Sequence, residues 1–217
     1  MWEQLIHNLL KLYYMNKELN KIKNQTIKAP LAKEESKKQF VELTKKWGIK
    51  HTFDFDEAWE IGEQLRRKKD FRNKIKELES KMLDSSTAIK GEQLAESNPV
   101  KHSFAEGCYI REIYNPANEI IITAIHAQSH PFFLLKGEMS ILTHDGIEHI
   151  KAPHYGITKP GIKRIIYTHT PCNFVTVHAT ELTDPEEIAN TVTTKTFEDP
   201  RVTKEDMKLI NKLKLKI

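Results

Sequence analysis

Cysteine is scarce in this chain. There are two in 217 residues, Cys108 and Cys172, without the paired spacing of a zinc site or the density of a disulfide-stapled domain. They read as reduced packing residues. Long apolar runs are missing too, and none approaches the ~20 residues of a bilayer-spanning helix. The opening Met1-Trp2-Glu3-Gln4 lacks the basic-then-apolar order of a secretory signal, so the expected compartment is the cytoplasm. No Gly-x-Ser-x-Gly elbow and no phosphate-cradling glycine loop is present, which removes the sequence marks of a serine hydrolase or a nucleotide-binding protein. Nor is there an internal repeat. The net charge of +4 comes from 34 Lys and Arg set among 30 Asp and Glu, with no basic stripe interleaved with aromatics. Scattered lysine of this kind reads as solvated helix faces. Neither nucleic acid nor membrane is expected as a partner.

What is present changes character near residue 84. Before it, Trp2, Leu5, Ile6, Leu9, Leu12, Tyr13 and Leu19 recur at spacings of three and four, which predicts a helix over 1–23. A second is expected from Lys33 to Trp47, with Phe40, Leu43 and Trp47 on one stripe and Gly48 as its stop. The third and longest opens in Phe53-Asp54-Phe55-Asp56-Glu57, an aspartate cap, and runs to Leu83. Its Phe71, Ile75, Leu78 and Met82 suit either a coiled-coil seam or an amphipathic face packed on its own domain. From Asp84 to Pro99 the periodicity dissolves into Ser, Thr, Gly, Glu and Asn, read as a linker. The expected organisation is a helical arm (1–83), a linker (84–99), a β domain (100–182) and a helical tail (183–217).

The β domain announces itself by short β-branched and aromatic segments between turn residues. Strands are expected at Cys108 to Ile113, Ile120 to Ile125, Phe132 to Leu135, Met139 to Thr143, His149 to Ala152, Lys163 to Tyr167 and Phe174 to His178. Turn signals such as Asn115-Pro116, His144-Asp145-Gly146 and Lys159-Pro160-Gly161 separate them, a texture of sandwiches and barrels. In the tail, Thr183-Asp184-Pro185-Glu186-Glu187 opens a short helix. A last helix is expected from Thr203, with Thr203 and Asp206 as a capping box and Met207, Ile210, Leu213 and Ile217 at heptad-like spacing. The fold class is therefore α+β: an α-helical amino-terminal arm, an antiparallel β-barrel and a carboxy-terminal helix.

The chemistry concentrates in Glu119 to Gly137. A run of Ile120, Ile121, Ile122 and Thr123 leads to His126 and His130, and the chain returns through Phe132 to Gly137. Four residues along a straight strand is roughly 13 Å, too far for two imidazoles to share an ion. If the chain folds back near Ala127 to Ser129, they converge inside the barrel. A third nitrogen could come from His169 or His178; alternation sends His169 outward if residue 164 points inward. His178 also reads as packing, and His144, His149 and His154 sit in or beside turns. Acid–base work would rest on His126, His130 and Tyr109 or Tyr167. A buried Arg164 would need an anionic partner, from Glu112, Glu138 or a bound carboxylate.

Residues 105 to 185 resemble the cupin superfamily, and more narrowly the small cupin-like proteins of tailed-bacteriophage genomes. The resemblance rests on Gly107-Cys108-Tyr109-Ile110-Arg111-Glu112, on His126 and His130 ahead of Leu135-Lys136-Gly137-Glu138, and on Asp145-Gly146 before Ile150-Lys151-Ala152-Pro153. Lys159-Pro160-Gly161 with Arg164, and Thr176-Val177-His178-Ala179-Thr180, complete it. It implies a barrel of cupin or jelly-roll type and one divalent transition metal (zinc, iron, nickel or manganese) or none. His126, His130 and His178 are the ligand candidates, with Arg164 and Tyr109 as ligand-binding residues. Aligned with the family's first motif, Ala124 falls where a first histidine is usual, and Arg164 falls near a histidine position of the second. His126 and His130 then stand open to two readings, ligands or hydrogen-bonded remnants of an ancestral site. The expected function is a non-enzymatic assembly protein, a phage virion or assembly component in the host cytoplasm that oligomerises or docks on other phage proteins through its helices. The alternatives are a mononuclear metal-dependent oxygenase, isomerase or lyase acting on a small polar substrate, and a module in which Arg164 grips an anion.

Overall fold

The structure is a computed structural model and describes residues 33–48 and 54–214. The helix expected over 1–23, Phe53 and Ile217 lie outside the described residues. The chain divides into two compact units, residues 1–55 and 56–217. In the first, α1 (Lys33–Lys46) carries Glu34 and Glu35 in its first turn and Lys45 and Lys46 in its last, signs that complement the helix dipole. Phe40 packs on Phe55 with ring centroids 5.5 Å apart.

The second unit is α+β. It opens with α2 (Phe55–Asp84), whose first residue, Phe55, belongs to the first unit, and α3 (Gly91–Ser97), then β1 (Val100–Ala105), β2 (Cys108–Asn115), β3 (Ile120–Ile122), β4 (Ile125–His126), β5 (His130–Lys136) and β6 (Glu138–Thr143). There follow β7 (Gly146–Lys151), β8 (His154–Thr158), β9 (Ile165–Thr168), β10 (Cys172–Ala179), α4 (Pro185–Val192), β11 (Thr193–Thr194) and α5 (Pro200–Lys214). Pairing is antiparallel throughout, in a five-stranded sheet β1-β2-β10-β5-β8, a four-stranded sheet β3-β9-β6-β7 and a β4–β11 ribbon. This is a jelly-roll-like sandwich followed by helices.

The sheets do not close into the expected barrel. The strand expected over Ile120 to Ile125 breaks at Thr123, whose hydroxyl donates to the Ala124 carbonyl at 3.1 Å and accepts the Arg164 amide at 3.0 Å. Past the break, β4 leaves the four-stranded sheet and pairs with β11. Two strands absent from the sequence reading, β1 and β8, are the edges of the large sheet. Their polar content and the central Gly156 hide them. That glycine is demanded by packing, since a Cβ there would lie 2.7 Å from the Phe132 ring.

Strand alternation fills one end of the interior with Phe132, Leu134, Met139, Ile141, Ile150, Ile166, Cys172 and Phe174. Outside the sheets, α2 packs on the sandwich, so the expected arm ends before it. Its Phe71 and Ile75 join Ile125, Phe197 and Val202 in a second apolar cluster. The four-three-four stripe is thus an amphipathic face within its own unit. Polar ties flank it: Lys163 to Glu79 at 2.6 Å, and Asp206 to Lys68 at 3.1 Å and Arg72 at 2.8 Å. Those pairs also explain why α5 starts at Pro200 and not Thr203. Asp206 is engaged by α2, and Asp199 accepts the Arg201 amide at 2.9 Å. The stretch expected as a linker holds α3 and the buried Asn98, which donates to Glu119 at 2.7 Å. In α4, Asp184 accepts from the Glu186 and Glu187 amides, with Pro185 in the first turn.

Candidate functional site

The polar end of the sandwich interior gathers His126, His130 and His178. The turn after β4 folds the chain back, as the sequence condition required. His126 and His130 then lie with ring centroids 4.6 Å apart, and His130 and His178 lie 4.3 Å apart. His130 and His178 sit on adjacent strands, one alternation beyond the pair Thr176–Phe132. Both are almost fully buried, at 2% and 5% exposure.

Each ring has one nitrogen that is buried and without a hydrogen-bond partner: Nδ1 of His126, Nε2 of His130 and Nδ1 of His178. His130 Nδ1 donates to the Gln128 carbonyl at 3.3 Å. That bond places the proton on Nδ1 and leaves Nε2 as a bare lone pair. His178 Nε2 meets the Thr176 hydroxyl at 3.2 Å. Burial lowers all three imidazole pKa values. His126 falls to about 2, helped by His130, Arg164, His178 and Arg111. His130 falls to about 4, with His178 and Arg164 adding to burial against the raising effect of the Gln128 carbonyl. His178 also falls to about 4, with Arg111 adding to burial. The cluster is neutral at pH 7.

Arg164 points inward from the residue before β9 and is 5% exposed. Its Nη2 donates to Thr158 Oγ1 at 2.6 Å, and its guanidinium lies 4.7 Å from the Phe132 ring centroid. Neither carboxylate expected as its partner reaches it. Glu112 accepts from Asn173 at 3.0 Å, and Glu138 pairs with Lys151 at 2.6 Å. Arg111 stands opposite Thr176 on β2, and burial lowers its pKa. Tyr109, two residues before it, stacks on His178 at 6.0 Å, and its hydroxyl meets His102 Nδ1 at 2.6 Å. Burial raises the Tyr109 pKa, while Arg111 lowers it.

His169 lies on the outer face, where its Nε2 meets the Ser140 hydroxyl at 2.7 Å, so it is not the third imidazole. Tyr167 is exposed and donates to Asn118 at 3.0 Å. Arg111, Thr158 and Thr176 also belong to the site, beyond the residues to which the sequence points. The signal for Arg111 was its place two residues after Tyr109, on the same strand face.

The donor set suits a divalent transition metal. Three neutral imidazoles, each with an unpaired buried nitrogen, are nitrogen ligands in the required protonation state. The carbonyl behind His130 and the hydroxyl behind His178 are the supports that metal-binding histidines use. The rings are tilted against one another by 54° and 39°. Among the described residues, no three His, Cys, Asp or Glu side chains form a ready-made metal site.

No family model matches the chain, and no curated protein sequence matches it. Solved structures do. One is a cupin-2 domain protein of Shewanella frigidimarina, at 8% identity and TM-score 0.33 over 37% of this chain and 79% of that one. A Neisseria meningitidis protein matches at 12% identity and TM-score 0.33, over 37% of this chain and 82% of that one. A variant of salicylate 1,2-dioxygenase from Pseudoaminobacter salicylatoxidans matches at 7% identity and TM-score 0.36, over 40% of this chain and 27% of the enzyme.

Proposed function

We propose that the sandwich interior is a metal-dependent active site of cupin type, acting on a small polar molecule as an oxygenase, isomerase or lyase. The observation that carries this reading is the set of three unpaired, buried imidazole nitrogens brought together from β4, β5 and β10. A buried polar atom without a partner is unfavourable by ~1–3 kcal/mol. Three in one place are best accounted for by a group that pairs with all of them.

A metal bound to His126, His130 and His178 supplies Lewis acidity and an acidified water. The chain's own groups do the rest. The Gln128 carbonyl holds the His130 proton on Nδ1, and Thr176 fixes the His178 ring. The apolar end, floored by Phe132 and Phe174, limits water. Tyr109 with His102 forms a hydrogen-bonded pair running from the cluster toward exposed β1, able to hold a proton at the phenol oxygen.

The test is metal content per chain on untagged full-length protein. About one equivalent of a transition metal is expected, with loss in His130→Ala and His178→Ala. Protein that takes up none, even after incubation with zinc, iron, nickel or manganese, overturns the reading.

A second reading, assembly, has one specific observation in its favour. The edge strand β8 exposes Tyr155 at 74% and Ile157 at 60%, beside Leu135 on β5 at 58%. Apolar residues on an unpaired edge are a template for association. It is the form in which a virion or assembly role would be expressed. Self-association abolished by Ile157→Lys supports it; a monomer at all concentrations removes it.

A further inference from the structure

We infer that the interior site takes a small organic carboxylate, gripped by Arg164 and Arg111. This rests on the reading of the interior as a working site, but not on the metal. Arg164 donates to Thr158, the cross-strand neighbour of His130, and Arg111 stands opposite Thr176, whose hydroxyl meets His178. Neither makes an ion pair with any described residue. Glu148, on exposed β7, raises the Arg164 pKa from a distance and makes no ion pair with it.

Burial lowers the Arg164 pKa only to about 10, so the group remains charged at neutral pH. An enclosed cation without a counter-charge is strongly unfavourable. Folds keep one where an outside anion completes it. The other groups at this end of the interior are three neutral imidazoles and the hydroxyls of Thr158 and Thr176. All are neutral, so nothing repels an anion. Phe132 covers one face of the Arg164 guanidinium and Thr158 engages Nη2, so the N–H donors that remain along its edge are the ones a carboxylate meets. The apolar floor favours an organic anion over a hydrated inorganic one.

The experiment measures thermal shift and calorimetric binding of malonate, acetate and inorganic phosphate at matched ionic strength. It uses the full chain, both chelator-treated and metal-loaded. Malonate is expected to bind saturably, with affinity reduced on the order of thirtyfold or more in Arg164→Gln and in Arg111→Gln. The ligand-free midpoint of Arg164→Gln should be equal to or above that of the parent, because an uncompensated charge has gone. A purely structural arginine predicts a lower midpoint. Arg164→Lys should keep part of the binding and serves as the folded control. Binding of phosphate but not of either carboxylate overturns the assignment, as does binding unaffected by both arginine variants. Malonate binding to a chain that takes up no metal sustains this inference and removes the metal-dependent function. Metal uptake without any anion binding does the reverse.

Discussion

His130 and His178 face each other across adjacent strands with ring centroids 4.3 Å apart, each with one buried ring nitrogen that no protein group pairs. Burial holds both rings neutral, and a nearby group adds to that resistance: His178 for His130, and Arg111 for His178.

That resistance sets a pH dependence. The folded-state pKa values of His130 and His178 are about 4, and that of His126 about 2, against an unfolded value of about 6.5. Above pH 6.5 neither state binds these protons, so stability is at its full value. As pH falls from about 6.5 toward 4, the unfolded chain takes protons that the folded chain refuses, and stability falls. The expected loss for metal-free protein is several kcal/mol over this window, at about 1.4 kcal/mol per unit per group. Denaturant midpoints measured at half-unit pH steps will show it; a flat profile between pH 6.5 and 5 contradicts it.

Removing one of the unpaired nitrogens should help the empty fold. His130→Leu in metal-free protein is expected to raise stability by about 1 kcal/mol, the unmet polar atom being replaced by apolar volume. Urea unfolding of chelator-treated protein checks this, and a loss of stability would show that the bond from His130 Nδ1 to the Gln128 carbonyl outweighs the unpaired Nε2.

Glu79 anchors α2 to the sandwich through Lys163, whose side chain is 7% exposed. Glu79→Ala leaves that ammonium buried and alone, with an expected cost of about 2 kcal/mol. Adding Lys163→Met should recover most of it, which a double-mutant cycle measures directly.

Gly156→Ala should be destabilising by about 2 kcal/mol through overpacking, because the new methyl meets the Phe132 ring. Pairing it with Phe132→Leu should relieve the clash, read as a partial return of the thermal midpoint.

The sequence carried the fold further than it carried the site. Alternation in Cys108 to Ile113 and Phe174 to His178 was visible, and so was the Asp184 cap, because those signals are local. The split at Thr123 was not, since it depends on a hydrogen bond from Arg164, distant in the chain. Edge strands β1 and β8 were hidden because each has only one neighbour to satisfy and so tolerates polar residues and glycine. His126 and His130 were legible as a pair joined by a turn. The link to His178 is a matter of strand order, which spacing alone does not encode. The apolar stripe of α2 was plain, but its partner was not, because a stripe tells that it is covered and not by what.

The docking of α2 also bears on where the chain can be cut. Ile75 shares its cluster with Ile125, the neighbour of His126, and Glu79 holds Lys163, the neighbour of Arg164. A fragment beginning at Val100 retains both sheets, the three clustered imidazoles and both arginines, yet loses the brace behind two of these residues. The smallest piece that preserves the site therefore includes this helix from at least Phe71 onward.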